Sequence, residues 1–430
     1  MELDFVNRTE ELAQLDEHAR AGGLLVVFGR RRVGKTRLLT QWLKRREGLY
    51  SQAIEASKEQ QLQQVFDDLR PQLASSIVPR SFGELLELLD LQAKDFVFCL
   101  DELPYLVAAD PSLPSVLQRW IDHRKRKKSS LILAGSSTRM MNDLFLNRGA
   151  PLFGRARKIL EVAPMSYRAF CKACGQNPAS KEAFVRFSLV GGVPKYWELV
   201  RRGQSSIALA EELFFGSSPA LEFEPSRLLK DEGVLGLTAP AVLEAVGRGS
   251  HKPSEIAARL GTPQTNLSRL FQVLLDSKLL ERELPFGESV RTTKRTLYKL
   301  ADPTMRFWFR VYSPHRSRWR TYSAAEKQKL LEDHASTVFE DQLRARWPGS
   351  SRYWEADVEL DFVREDEAGL VVSEVKWATL GKGEAKAMTG ELEKRFRRTA
   401  LGQTHAHARF EVLDAGALRL IGEGPRPRSG

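Results

Sequence analysis

Eight consecutive residues, Gly29-Arg30-Arg31-Arg32-Val33-Gly34-Lys35-Thr36, fill the phosphate-loop pattern G-x-x-x-x-G-K-[ST]. Each fixed position has a chemical reason. The glycines let backbone N–H groups curl around phosphate oxygens. Lys35 brings a positive charge to the β- and γ-phosphates, and Thr36 offers a hydroxyl to Mg²⁺. The flanks agree with this reading. Leu24-Leu25-Val26-Val27-Phe28 is a short apolar run of the kind a buried parallel strand needs. Residues 36–46 place Leu38, Leu39, Trp42 and Leu43 at helical spacing, so a helix N-terminus points at the phosphates. Strand, loop and helix in this order bind a nucleoside triphosphate.

A length of 430 residues suggests two to four domains. The charge of +11 and pI near 9.5 favour an acidic polymer as partner, nucleic acid first. A generally basic proteome would give the same balance. Three cysteines argue against a disulfide framework. The pair Cys171 and Cys174 lacks the two further ligands that zinc requires, and reads as structurally incidental. The apolar runs are strand-sized and the N-terminus lacks a signal-peptide core, so no membrane association and a cytoplasmic location are expected.

Residues 95–102 form an apolar strand ending in Asp101-Glu102. Following a phosphate loop, this is a Walker B element: Asp101 holds Mg²⁺ through water and Glu102 polarises the attacking water. Residues 131–137 give another buried strand ending in Ser136-Ser137. Ahead of the first strand, Asn7 or Thr9 is placed to cap a helix whose first turn carries Glu10 and Glu11.

These elements, with Leu100-Asp101-Glu102-Leu103-Pro104-Tyr105, Leu152-Phe153-Gly154-Arg155 and Gly191-Gly192-Val193-Pro194-Lys195-Tyr196, resemble the archaeal-type ATPases, a branch of the STAND/AAA+ NTPases also found in bacteria. The resemblance implies ATP as the nucleotide and an adenine contact from the segment around residues 5–12. It implies a γ-phosphate sensor at Ser136 or Ser137, although a serine N-cap explains that position equally well. It also implies a charge-neutralising finger at Arg155, with Arg148 and Arg157 as alternatives. Such a finger acts in cis or in trans, and the trans case needs a homo-oligomer. Pro194 would pack near the adenine, at the start of a helical lid.

Three helical segments follow at 240–247, 253–260 and 263–276, then two alternating strands near 279–282 and 296–300. This is a helix-turn-helix with a wing. Gln264, Thr265, Asn266 and Arg269 on its third helix are types that reach base edges or phosphates, as are Arg291, Lys294 and Arg295 in the wing. Winged helices of this kind also serve as packing modules. Residues 302–320, rich in aromatics and arginines, read first as an apolar helix between domains, and secondly as a nucleic-acid groove.

In residues 357–363 charged and apolar residues alternate, which sets Asp357, Glu359 and Asp361 on one strand face. Residues 370–377 then end in Glu374-Val375-Lys376-Trp377. Period-two geometry puts Glu374 and Lys376 on one face, and a hairpin brings Asp361 beside them. This is the arrangement of PD-(D/E)XK nucleases, in which Asp361 and Glu374 would hold Mg²⁺ and Lys376 would help deprotonate water. Glu340 is placed to add a carboxylate, and Glu359 is a spare. The archaeal-type ATPases often end in such a domain, so the resemblance covers most of the chain. The basic helix at 384–404, with Lys394, Arg395, Arg397 and Arg398, either tracks a phosphate backbone or forms a solvated face.

The expected fold is therefore multidomain α/β. It comprises an AAA+/STAND P-loop ATPase core (1–175), a helical lid (176–230), a winged helix-turn-helix (231–302), a PD-(D/E)XK nuclease-like domain with its connecting helix (303–421) and a disordered tail (422–430). The expected function is an ATPase controlling a Mg-dependent DNA nuclease. The alternative is an ATP-dependent DNA-binding switch with an inactive nuclease-like domain.

Overall fold

The computed structural model describes residues 3–73, 77–91, 95–124 and 128–422. Helix Thr9–Ala21 leads into the apolar run, which forms β1 (Gly23–Phe28). It joins β2 (Leu49–Gln52), β3 (Val97–Asp101), β4 (Ser130–Gly135) and β5 (Ala156–Glu161) in a wholly parallel sheet. The order is β2-β3-β4-β1-β5. Parallel strands need crossovers that cover both faces of a sheet. The side chains of β1 follow that rule. Leu24, Val26 and Phe28 enter one core, while Leu25 and Val27 enter another on the opposite face. Because all strands run the same way, the ends of β1, β3 and β4 open on one edge, where ligands of such sheets bind.

Helices Tyr167–Cys174, Lys181–Val190 and Pro194–Trp197 come next. Their apolar faces share one core with Phe307 and with the 23-residue helix Ala324–Arg346. Phe184 meets Phe339 edge-on, with ring centroids 5.8 Å apart, and Trp197 is 1% exposed. Burying such a ring contributes roughly 1.5–3 kcal/mol. Residues 176–230 and the segment after 303, expected as separate units, are thus packed together. The aromatic stretch at 302–320 is part of this packing. Trp308 Nε1 donates to the Glu222 carbonyl at 2.7 Å, and Trp319 is buried. The three cysteines are buried and free.

Helices Thr238–Gly247, Pro253–Arg259 and Gln264–Asp276 surround a small core of their own and precede an antiparallel pair, β6 (Leu280–Glu283) and β7 (Leu297–Leu300). Helix Gln264–Asp276 also touches helix Thr138–Phe145 of the first unit. Gln264, Thr265, Asn266 and Arg269 remain exposed.

The last unit is a sheet of order β11-β10-β9-β8, built from β8 (Ser351–Glu355), β9 (Val358–Asp366), β10 (Gly369–Val375) and β11 (Arg409–Leu413). The first three are antiparallel neighbours, and helix Lys382–Arg397 carries the chain over to β11, parallel to β10. One face packs on Leu392 and Phe396 of that helix, and Phe362 on the other joins the core shared with helix Ala324–Arg346. Of the expected tail only Gly422, the end of helix Leu418–Gly422, lies within the described residues. Among those residues no helix is long and apolar enough to cross a membrane.

Candidate nucleotide site and C-terminal acidic cluster

The phosphate loop joins β1 to helix Lys35–Leu43. Gly34 has φ of +97°, a conformation that a side chain disfavours, and open space where a Cβ would stand. Lys35 is 5% exposed, and its ammonium donates to the carbonyls of Gly29 at 2.8 Å and Arg30 at 3.2 Å. Burial holds its pKa below the ordinary lysine value against the nearby charges of Glu102 and Asp101.

From β3, Asp101 is fully buried and accepts the Thr36 hydroxyl at 2.6 Å and the Tyr50 hydroxyl at 3.2 Å. Glu102 follows in the left-handed region at φ 57°, unusual for a side chain with a Cβ. Its carboxylate accepts from Ser136 twice, from Oγ at 2.7 Å and from the backbone N at 3.1 Å. The strand order explains the meeting, since β4 lies between β3 and β1. The two serines divide the alternatives between them. Ser136 holds Glu102, whereas Ser137 is the N-cap of helix Thr138–Phe145 and accepts from Met140 N at 3.2 Å.

Near the expected adenine position a narrow cavity of about 30 Å³ is lined by Phe5, Val6, Val33, Gly34, Pro194 and Trp197, among others. It is far smaller than the roughly 300–1,000 Å³ of typical ligand pockets, so an adenine needs it widened. The lid loop is stitched down beside it. Met165 N donates to the Gly192 carbonyl at 2.7 Å, and a Cβ on Gly192 would meet Met165 O at 2.3 Å.

Two expectations need correction. Neither Asn7 nor Thr9 caps the first helix. Arg8 precedes it in the left-handed conformation without a side-chain cap, and its guanidinium donates to the carbonyls of Val33 and Ala163, both at 2.9 Å. Arg155 does not meet the phosphate loop of its own chain. It stands just before β5, whose Ala156 pairs with Leu24 at the start of β1, whereas the loop follows the other end of that strand. Its guanidinium is tied to Asp122 at 2.9–3.2 Å. Arg157 is at the same wrong end, reaching the Ala21 carbonyl at 3.2 Å, and Arg148 is exposed beyond helix Thr138–Phe145.

The loop's remaining cations are used in a way its pattern does not announce. Arg30 pairs with Asp302, Arg31 with Asp231 and Arg32 with Glu224. Tyr196 donates its hydroxyl to Glu224 as well. Burial works against the Arg30 charge, but Asp302, Tyr196 and Glu224 together outweigh it and raise the pKa above the ordinary arginine value.

In the C-terminal unit the antiparallel register sets Phe362 opposite Ser373, so Asp361 reaches the Val375 amide at 3.0 Å. Glu374, 8% exposed, accepts Lys376 Nζ at 2.7 Å on one oxygen and Arg395 on the other. Burial and the neighbouring Glu374 raise the Asp361 pKa above the ordinary value. Glu340, from helix Ala324–Arg346, is pushed up to about 7 by burial and by Asp361. No ion pair reaches Glu340 among the described residues. Glu359 pairs with Arg352. Lys394, Arg397 and Arg398 pair with Glu391, Glu393 and Asp357, which suits a solvated face; only Arg395 of that helix enters the cluster.

With this geometry in view, a family profile of ATPase domains predominantly from Archaea matches residues 5–200. Over those residues the chain resembles an archaeal-type ATPase domain. A second profile, of archaeal and bacterial proteins of unknown function, matches residues 308–388, downstream of the ATPase domain. An uncharacterized protein of Methanocaldococcus jannaschii is 27% identical over 418 residues, covering 92% of this chain and 93% of its own. Among solved structures, a Walker-type ATPase of Pyrococcus abyssi has a TM-score of 0.54 at 19% identity, with 72% of this chain and 97% of that one covered. That likeness speaks to the fold of the ATPase domain and its neighbours. The ORC2 protein of Aeropyrum pernix, with a TM-score of 0.46, 12% identity and coverage of 78% and 96%, is too distant for argument.

Local signals could not find the functional partners that sequence reasoning missed. Tyr50 on Asp101 and Arg395 on Glu374 are each set by a strand or helix far along the chain. The acids at 224, 231 and 302 lie about 190 to 270 positions from the loop they touch.

Proposed function

We propose that the protein is an ATP-hydrolysing switch whose cycle controls what its C-terminal unit does to DNA. The observation that carries the first half is the set Lys35, Thr36, Asp101, Glu102 and Ser136, drawn together from three strand ends. Thr36 and Asp101, already 2.6 Å apart, are the oxygen ligands that fit a magnesium ion. When bound, that ion neutralises phosphate charge. Lys35, freed from the two carbonyls, adds its charge to the same phosphates. Ser136 aims the Glu102 carboxylate, and Glu102 orients and polarises water. Pro194 and the segment around Phe5 close on the base.

For the output, the net charge of +11 and the exposed Gln264, Thr265, Asn266 and Arg269 support a nucleic-acid partner through a winged helix. The crowding of Glu340, Asp361 and Glu374 beside Lys376 supports cleavage. Among the described residues Glu340 has no ion-pair partner, and burial with the nearby Asp361 raises its pKa. A specific observation favours a second reading, in which the unit grips DNA without cutting. Both oxygens of Glu374 are taken by Lys376 and Arg395, and among the described residues no three His, Cys, Asp or Glu side chains stand ready to hold a metal. The cluster as arranged does not fit a divalent ion until Glu374 leaves Arg395.

Incubating the protein with duplex, single-stranded and branched DNA, with Mg²⁺ and with or without ATP, separates the two. Cleavage lost in Glu374→Ala supports the nuclease. A DNA mobility shift with no cleavage, unchanged by Glu374→Ala, supports the grip.

A further inference from the structure

The variable positions of a phosphate loop are free of the pattern's demands, yet here three of them are arginines and each is matched to its own acid. The acids come from two places beyond the loop's own unit. Glu224 and Asp231 lie on helix Glu224–Asp231, and Asp302 begins helix Pro303–Phe307, where it accepts Met305 N at 2.8 Å. A fourth carboxylate, Glu232, directly follows Asp231. It is 4% exposed and accepts from Ser137 Oγ at 3.2 Å, Thr138 N at 3.1 Å and Arg139 N at 3.2 Å. Glu232 therefore sits at the start of helix Thr138–Phe145, beside the serine that holds Glu102. Burial raises its pKa, while those donors and the Lys35 charge work the other way.

We infer that Glu224, Asp231, Glu232 and Asp302 form a latch on the phosphate loop, and that a bound nucleoside triphosphate opens it by competing for the same cations. This rests on the reading of residues 29–36 as the nucleotide site. The reason is electrostatic. The carboxylates occupy the positive edge of the sheet where phosphates belong, and two anions cannot share it without repulsion. A ligand favoured by the released state shifts the equilibrium towards that state by its differential affinity. Release has a route to the rest of the molecule. Asp302 opens the helix bearing Arg306, Arg306 pairs with Asp341 at 2.7 Å, and Asp341 neighbours Glu340 on the long helix of the C-terminal unit.

The test compares the full-length wild type with Asp231→Asn and Glu232→Gln, which keep the side-chain shape and one acceptor oxygen while removing charge. A fluorescent ATP analogue with Mg²⁺ is expected to bind each variant roughly three- to tenfold tighter, since Asp231→Asn breaks the partly exposed pair with Arg31 and Glu232→Gln removes a buried charge that attracts Lys35. Adenosine, which lacks phosphates, is expected to bind all three alike. Limited proteolysis supplies the conformational readout. ATP exposes residues 224–237 of the wild type to cleavage, and the variants are cleaved there before ATP is added. A loss of folding would weaken binding, the opposite direction. ATP binding no tighter in either variant, or ATP protecting residues 224–237, overturns the latch. A wild type that binds no ATP at all overturns the nucleotide reading on which it stands.

Discussion

The two acidic sites of this chain are built from similar residues but held by different partners. At the sheet edge Asp101 and Glu102 are gripped by neutral donors, the hydroxyls of Thr36, Tyr50 and Ser136. In the C-terminal unit Glu374 is gripped by two cations, Lys376 and Arg395. A neutral donor orients a carboxylate and leaves its charge available to a metal or a water. A cation orients it and cancels that charge. On the proposed reading the carboxylates of the first site are available to a magnesium-bound phosphate without breaking an ion pair, and Glu374 of the second only after one gives way. Placement follows the same division, because the first site is assembled from ends of one rigid sheet and the second draws on strands, the helix Ala324–Arg346 and the helix Lys382–Arg397.

The largest effect expected from this contrast is at Lys35. Lys35→Ala removes the buried cation of the loop and should weaken ATP binding roughly 100-fold, measured by equilibrium titration, while leaving DNA binding in place. Unchanged ATP affinity would erase the distinction between the two sites.

Next comes the charge that the C-terminal cluster leaves unbalanced. Glu340 has a folded-state pKa of about 7, above its ordinary 4.5. The folded chain keeps a proton there that the unfolded chain has lost. The stability this contributes is full below about pH 4.5 and disappears as pH rises through 7. Glu340→Gln should therefore raise stability at pH 8 in EDTA, on the order of 2–3 kcal/mol, and change little at pH 4.5. Thermal melts at the two pH values decide it; equal shifts at both would mean that Glu340 is not crowded by Asp361. The smallest effect is at Ser136. Ser136→Ala removes one hydroxyl from Glu102 but leaves the backbone donor, so ATP turnover should fall about tenfold with KM little changed. A shift in KM alone would assign Ser136 to nucleotide binding.

The phosphate loop was legible because its chemistry is local. Strand, glycines, lysine and helix are consecutive, and β3 announces itself by ending in Asp101-Glu102. The hairpin that joins Asp361 to Glu374 was legible for the same reason, since period two and one turn fix which side chains meet. The motif around Arg155 does not say at which end of a sheet it falls; the pairing of Ala156 with Leu24 sets it away from the loop of its own chain, which leaves the trans role as the one to test. The partners of the apolar helix expected at 302–320 were not legible, because apolar periodicity marks a buried face without naming what buries it. Phe184 and Phe339 meet only in the folded core. The acids on Arg30, Arg31 and Arg32 were beyond reach, as nothing local in Glu224, Asp231 or Asp302 refers to a loop so distant in the chain.

Release of phosphate from Mg-ATP by the purified wild type and by Glu102→Gln tests the switch most directly. Steady turnover is expected from the wild type. Glu102→Gln should bind ATP as well as the wild type but hydrolyse it roughly 100-fold or more slowly, because the group that polarises water is gone while the loop is intact. Equal turnover in the two proteins, or none in the wild type with or without DNA, would contradict the assignment of this sheet edge as an ATP-hydrolysing site.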